Sequence, residues 1–307
     1  MTPTGIAGIA PPGVGGTMAS AMAGTTPPLV AGATLPGAGL TADSLAALVP
    51  DGALLALPPD NSLPSCALAR ALVRRGARGL RLLGVPVSGY ATDLLVGAGC
   101  VVQVQTSAAT LGEAGVAPRF AAAVAAGTLQ VLDATCPAIH TMLQAAEKGV
   151  PYMPLRGLLG SDVLAHRPDW RVAQNPFSDA PDLIVLLPAL QPDFAAFHAV
   201  MADAHNNVWV GRRRELATLA HASREVLVTV ERRVPGNLLE DERLAPGTIS
   251  GAYVTQVAVA GRGAWPIALL GEHPADPAHL AEYARAARTA DGFRAYLDRH
   301  VLQAATA

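Results

Sequence analysis

The chain has 307 residues, 51% of them apolar, 15% charged and 4% aromatic, with a net charge near −2. This balance leaves no electrostatic footprint for nucleic acid or an anionic membrane surface, and no run of 18 uninterrupted apolar residues offers a membrane span. The length suits one large α/β domain or two modest ones. With so few charges, the chain is expected to cover part of its surface with another subunit.

Cys66, Cys100 and Cys136 are odd in number, widely spaced and without a CxxC pair. They therefore read as reduced thiols of a cytoplasmic protein, not a disulfide framework or a zinc site, and no metal site is expected. No Lys or Arg precedes Arg70, so the charged start of a secretory signal is not expected. Residues 1–40 are Gly, Ala, Pro and Thr with scattered Val and Ile, a composition that cannot repay its ordering entropy and reads as a flexible extension. Gly13-Val14-Gly15-Gly16 lacks both a preceding strand and a following Lys-bearing helix, so it is not taken as a nucleotide site.

The folded region, residues 41–307, is expected to start with a helix capped by Thr41–Ser44 and carrying Leu45, Leu48 and Val49 inward. Asp51-Gly52 then turns the chain into an all-apolar strand at 53–57. A helix over 63–76 ends on Arg74, Arg75 and Gly76. Strands follow at 80–85 and 101–105, a loop at 106–119 holding Gly112, Glu113 and Gly115, a helix at 120–127 and a strand at 129–132. Strand–helix alternation at this interval predicts parallel βαβ units with right-handed crossovers. Further strands are expected at 183–187, 195–200 and 226–230, irregular structure at 235–275, and amphipathic helices over 276–301 with Leu280, Tyr283, Ala287, Phe293, Tyr296 and Leu297 as their apolar stripe.

The stretch from Leu143 to Phe177 carries most of the functional signal. Met142, Leu143, Ala146 and Val150 share one helical face, and Gly149 and Pro151 stop that helix. After Tyr152-Met153-Pro154-Leu155 comes Arg156-Gly157-Leu158-Leu159-Gly160-Ser161-Asp162: a fixed cation, two glycines and a Ser-Asp pair. Such a loop can approach an anionic or acyl ligand closely, and a tight Gly turn with a surface Arg fits the same spacing.

The segments GVPYMPLRGLLGSD, NPF, PALQPDFAAFHAVMADAHNN and VLVTVERRV occur in this order. In sequence and spacing the chain resembles the A-type subunit of family I coenzyme A transferases, of the glutaconate CoA-transferase kind, over residues 42–235. The resemblance implies a three-layer αβα fold with a mostly parallel sheet and a small C-terminal helical subdomain over 235–307. It makes residues 93–100 a helix and turn, and puts the 106–119 loop near the acyl and pantetheine end of the cleft. The family's glycine-rich loop after the first strand is here Pro58-Pro59-Asp60-Asn61-Ser62, where two prolines remove two N–H donors. Many relatives carry Glu where Cys136 aligns, which weighs against hydrolase chemistry by that route.

In this family the nucleophilic Glu sits on the B-type subunit, so no catalytic residue is expected on this chain. Its cleft candidates are Ser107, Arg156, Gly157, Gly160, Ser161 and Asp162. Arg156 can pair with a substrate carboxylate or with Asp162. The expected partner is a homologous B-type chain in a heterodimer or heterotetramer. The expected substrates are an acyl-CoA and a carboxylic acid, with no permanently bound cofactor. Glu113 is the one Glu weighed as a nucleophile of the chain itself, and an exposed loop position is the simpler reading of it. His198 reads as a hydrogen-bonded core residue, and Arg212-Arg213-Arg214 as a solvated helix start or a contact for CoA phosphates. The readings that compete with CoA transfer are a hydrolase or carbon–carbon lyase on the same scaffold, and a non-catalytic ligand-binding homologue.

Overall fold

In the computed structural model residues 39–269 and 271–303 are described; the expected extension over 1–40 lies outside them except for Gly39 and Leu40. The first half of the chain follows the local signals closely. Thr41 and Ser44 form a reciprocal capping box on α1 (Ala42–Leu48), and the chain turns into β1 (Leu54–Leu57). Ser65 caps α2 (Cys66–Arg75), which ends on Gly76 in the left-handed conformation at φ +73°. The helix expected from residue 63 starts later because Leu63, at φ +59°, and Pro64 close the preceding loop. Then come β2 (Leu80–Gly84), α3 (Tyr90–Gly97), β3 (Val101–Thr106), α4 (Pro118–Ala125), β4 (Gln130–Asp133) and α5 (Cys136–Glu147). Gly149, at φ +66°, turns the chain off α5, so Val150 leaves the expected apolar face and is exposed.

Two sheets share the remaining strands. β5 (Tyr152–Leu155), β6 (Arg171–Gln174) and β7 (Leu183–Pro188) form an antiparallel sheet in the order β5-β7-β6. Next in the chain are β8 (Phe194–Ala202), β9 (Val208–Trp209), α6 (Glu215–Ala222) and β10 (Glu225–Arg233). These are followed by β11 (Thr248–Ile249), β12 (Gln256–Val259), α7 (Pro277–Ala286) and α8 (Ala290–Leu297). Seven strands run parallel in the order β4-β3-β2-β1-β8-β10-β12, and β9 and β11 add antiparallel pairs beyond the end of β8, giving nine strands in all. β12 corrects the expectation of irregular structure at 235–275. Val257 and Ala258 are buried and pair in parallel with β10, so this short apolar run is an edge strand of the main sheet.

The result is the expected three-layer α/β arrangement. One face of the sheet packs Leu55, Leu82 and Val104 against α1, α2 and α3, joined there by Tyr283, Phe293, Tyr296 and Val301 of the helical C-terminal segment. α5 and α6 pack on each other outside that cluster, with Ile139, Leu143, Leu216 and Leu219 buried. The few aromatic rings concentrate where the C-terminal helices meet α3: Tyr283 contacts Tyr90 and Tyr296 edge-on, each with centroids 4.9 Å apart. Buried Asp93 ties three helices together. It accepts from Phe120 N at 2.7 Å and from the Tyr283 hydroxyl at 2.7 Å, and burial pushes its carboxyl above the ordinary range.

Candidate functional site

From β1 the chain winds outward through β2, β3 and β4, then returns to the opposite side of β1 as β8. The strand order thus reverses beside β1, and the region outside the carboxyl ends of the strands at such a switch point is the usual ligand position in open α/β sheets. The loops meeting there follow β1, β2, β3 and β4.

The β1 loop, with its prolines, works as a strut. Asp60 accepts from Tyr90 N through both carboxylate oxygens, each at 3.1 Å, and so closes the N-terminus of α3. A Cβ at Gly89 would meet Asp60 Oδ1 at 2.1 Å, so glycine is required at that approach. Burial raises the Asp60 carboxyl to about 6. Of the loop's remaining donors, Ser62 gives its hydroxyl to Glu215 Oε1 at 2.5 Å, whereas Asn61 is exposed.

Leu63 O accepts from His198 N at 2.7 Å, laying this loop along β8. The His198 side chain is fully buried and bonded at both ring nitrogens: Nδ1 to Thr229 Oγ1 at 2.8 Å and Nε2 to Glu231 Oε1 at 2.9 Å. Donation from Nε2 to the carboxylate leaves Nδ1 to accept from Thr229, whose oxygen accepts in turn from Ser65 at 2.7 Å. Burial lowers the His198 pKa against the pull of Glu231. Burial pushes Glu231 upward, but hydrogen bonds from His198 and the Arg262 amide bring its carboxyl below the ordinary range. This chain of contacts clamps β8 to β10.

At the rim beyond β3 and β4, Ser107 and Cys136 come together. Ser107 Oγ donates to Pro86 O at 2.9 Å and lies 3.3 Å from Cys136 Sγ. The Cys136 thiol is exposed at the first turn of α5, whose N-cap is Thr135. Thr106 gives its hydroxyl to Ala108 O at 2.7 Å, and the neighbouring Ser88 hydroxyl is buried with no hydrogen-bond partner. Glu113 is exposed on a 3-10 turn that packs beside α7.

The other candidates form one exposed turn between β5 and β6. Gly160 takes φ +75°, Ser161 Oγ donates to Leu158 O at 2.7 Å, and buried Leu158 anchors the turn. Gly157 has open space around it, and Asp162, at the following 3-10 turn, is exposed. The alternative pairing of Arg156 with Asp162 is corrected: its partner is Asp182, reached from Nε at 3.2 Å and also from Nη2. Asn175, the first residue of NPF, braces this pair through Nδ2 to Asp182 Oδ2 at 2.7 Å. The bonds from Asn175 and Arg156 hold Asp182 below the usual carboxylate range. In the basic run at 212–214 Arg212 and Arg214 are exposed, and the half-buried Arg213 lies 3.9 Å from Glu215.

Among the described residues no hydrogen bond or ion pair joins Ser107 to the Arg156 turn directly. The link is Arg167, a residue that spacing and resemblance do not bring forward. It is buried, donates Nη1 to Asp133 O at 2.9 Å at the end of β4, and grips Asp169 through Nε at 2.9 Å and Nη2 at 2.7 Å. Its guanidinium lies 4.0 Å from the centre of the Trp170 ring. An Arg set between His166 and Pro168 just before an Asp-Trp pair is the available signal.

The sequence matches no family profile. It is similar to an uncharacterised protein of Archaeoglobus fulgidus, 30% identical over 241 residues, or 75% of this chain and 51% of that protein. It is also similar to the A-type subunit of glutaconate CoA-transferase from Acidaminococcus fermentans, 28% identical over 73% of this chain and 75% of the relative. A third relative is the cholesterol ring-cleaving hydrolase IpdA subunit of Rhodococcus jostii, 33% identical over 146 residues, 49% of its length. The chain thus spans about half the length of two of these three relatives. Among solved structures, glutaconate coenzyme A-transferase of A. fermentans aligns at TM-score 0.78 and 25% identity, over 86% of this chain and 88% of the other. A variant of the decarboxylase AibA/AibB aligns at 0.74 and 26%, over 85% and 98%.

Proposed function

We propose that this chain, which is similar to the A-type subunit of glutaconate CoA-transferase, forms one wall of a CoA-transferase cleft whose nucleophile belongs to a second, homologous chain. The observation that supports the reading is the likeness to glutaconate CoA-transferase over 86% of this chain, and Ser107 beside Cys136 and the exposed Arg156 beside Asp182 are the polar groups proposed to face the cleft.

CoA transfer requires a carboxylate that attacks the thioester carbonyl and expels CoA thiolate, leaving an acyl-enzyme anhydride. CoA thiolate then attacks the enzyme's carbonyl, releasing the carboxylic acid and leaving an enzyme glutamyl–CoA thioester. The second acid takes the CoA by the same two steps in reverse. In this scheme the present chain binds and orients. The exposed Arg156 pairs with a substrate carboxylate beside Asp182, and the Gly157–Gly160 turn lets the acyl end approach the backbone. The long CoA handle supplies remote binding energy to the reacting end.

The partner is proposed to sit over the small sheet. Tyr152, Leu159, Val172, Phe177 and Leu183, all exposed large apolar residues, lie on β5, β6, β7 and their loops. Such a collection marks a contact surface. The similar glutaconate CoA-transferase chain is itself named as one subunit of its enzyme, and the similar decarboxylase carries a two-component name, AibA/AibB.

A second reading, a hydrolase or carbon–carbon lyase on the same scaffold, draws on the likeness to the ring-cleaving hydrolase subunit, although Cys136 stands where the resemblance leads one to expect Glu. The two separate experimentally. The chain is co-expressed with a B-type subunit and the purified complex is given an acyl-CoA and a labelled carboxylic acid. CoA exchange into the labelled acid supports transfer; free CoA released without a new thioester supports hydrolysis.

A further inference from the structure

The C-terminal helices hold a group of side chains that the cleft does not use. One ring nitrogen each from His279 and His300, and a carboxylate oxygen of Glu282, all lie within 4.8 Å of one another. His279 and Glu282 are one turn apart on α7, with Nδ1 4.0 Å from Glu282 Oε2. His300 enters from the five-residue π turn Asp298–Leu302 that continues α8, and its Nε2 is 3.2 Å from Glu282 Oε1. Single π turns inside helices recur at functional sites.

The geometry points to a divalent transition-metal site, best suited to zinc, built from His279, Glu282 and His300. Two imidazoles and a carboxylate are a common three-ligand set for zinc, with water in a fourth position. Bonds of roughly 2.0–2.2 Å in a tetrahedron place ligand atoms about 3.4 Å apart. The separations in this cluster therefore need only small side-chain rotations. His279 is buried, whereas His300 and Glu282 are partly open, so the cation has an entry path and room for water.

The surroundings of His279 are those of an oriented ligand. Its ring is covered by Trp265, with centroids 4.1 Å apart, and its backbone N donates to the N-cap carboxylate of Asp276 at 2.9 Å. Nε2 is 2.7 Å from Tyr296 Oη, which is itself 2.8 Å from Tyr90 Oη. A cation on Nδ1 makes Nε2–H the donor to Tyr296, and the two tyrosine hydroxyls can pass that direction on, since each both donates and accepts. Exposed Arg299 also reaches the cluster, 3.3 Å from Glu282 Oε1, and is free to swing away as the cation enters. The same turn buries Val301 in the main core, and Val301 O accepts from Arg74 at 3.4 Å. A bound ion therefore ties α7 and the π turn onto the body of the domain.

The test uses the untagged full-length chain, stripped by chelator and dialysed against zinc or cobalt(II). One metal per chain is expected, with a cobalt d–d spectrum of low-symmetry nitrogen and oxygen ligation and a higher melting temperature in the metal-loaded protein. Tyr296→Phe keeps every ligand and is expected to weaken zinc binding by about tenfold or more, within the range for lost outer-shell partners. Glu282→Gln and His300→Gln are expected to weaken it further. Substoichiometric metal in the wild type, or binding unchanged by His300→Gln and Glu282→Gln, overturns the proposal. If one variant fails to fold, the wild-type cobalt spectrum decides alone: no d–d band, no site.

Discussion

Replacing Arg167 with methionine is expected to release the Arg156–Asp162 turn while leaving the sheet intact. Methionine keeps most of the aliphatic stem, so the loss is confined to what the guanidinium does. That group is 2% exposed and donates to Asp133 O at 2.9 Å, a charge-assisted bond worth about 1.5–3 kcal/mol. Its position 4.0 Å from the Trp170 ring centre adds about 1 kcal/mol. The pair with Asp169, whose side chain is 48% exposed, is screened and contributes at most about 1 kcal/mol. Together these give about 3–4 kcal/mol, most of it holding the turn to the end of β4. A local opening made easier by about 3 kcal/mol speeds amide exchange on the order of 100-fold. Hydrogen exchange read by mass spectrometry should show that acceleration in peptides spanning 158–170 and little change in those spanning β1, β2 and β8. If the 158–170 amides of Arg167→Met exchange as in the parent protein, Arg167 does not position this turn and the link between the two halves of the rim is lost.

Three further perturbations follow from single contacts. Asp60 has a folded pKa of about 6 against an unfolded value of 3.8, so the folded state binds its proton more tightly and stability falls as pH rises through that window. Asp60→Asn, which keeps an acceptor for Tyr90 N, should remove about 2 kcal/mol of that pH dependence, measured as urea unfolding free energies at pH 4 and 7. Buried Asp203 accepts from His205 N at 2.8 Å, Asn207 N at 3.0 Å, Asn207 Nδ2 at 2.7 Å and Leu238 N at 2.8 Å. Asp203→Ala strands those donors and should cost about 4 kcal/mol by chemical denaturation; a loss below about 1 kcal/mol would mean water replaces the carboxylate freely. Cys136 is exposed while Cys66 and Cys100 are buried with burial pushing both thiols up, so iodoacetamide on the native protein should label Cys136 first, as peptide mass spectrometry can show.

Legibility in the sequence tracks how local each determinant is. Where a cap or stop lies within a few residues the element is readable, as with Thr41 and Ser44 at α1 and Gly76 after α2, whereas the sequence places the start of α2 early because Leu63 and Pro64 continue the apolar run up to its Ser65 cap. β12 is not readable, because four residues of an edge strand acquire their meaning only from β10 beside them. β6, exposed along most of its length, carries no apolar alternation to find. The nearness of Ser107 to Cys136 follows from register: Thr106 and Asp133 are neighbours in the β3–β4 pair, so the residues just beyond them converge. Arg156 stands out in the sequence as the cation of its turn, but Asp182 lies 26 residues on and is brought to it by the β5-β7-β6 sheet, a pairing no spacing rule anticipates. At His279 and Glu282 the one-turn spacing is visible, but His300 joins them only when α7 and α8 fold against each other.

What matters most for function is which polypeptide carries the reactive acid. Intact-mass analysis of the complex of this chain with the proposed B-type partner, after incubation with acyl-CoA, reads this directly. The expected result is a hydroxylamine-sensitive adduct of CoA mass on the partner and an unmodified mass for this chain. An adduct on this chain, or CoA transfer by this chain with no partner present, would contradict the division of labour proposed for the cleft.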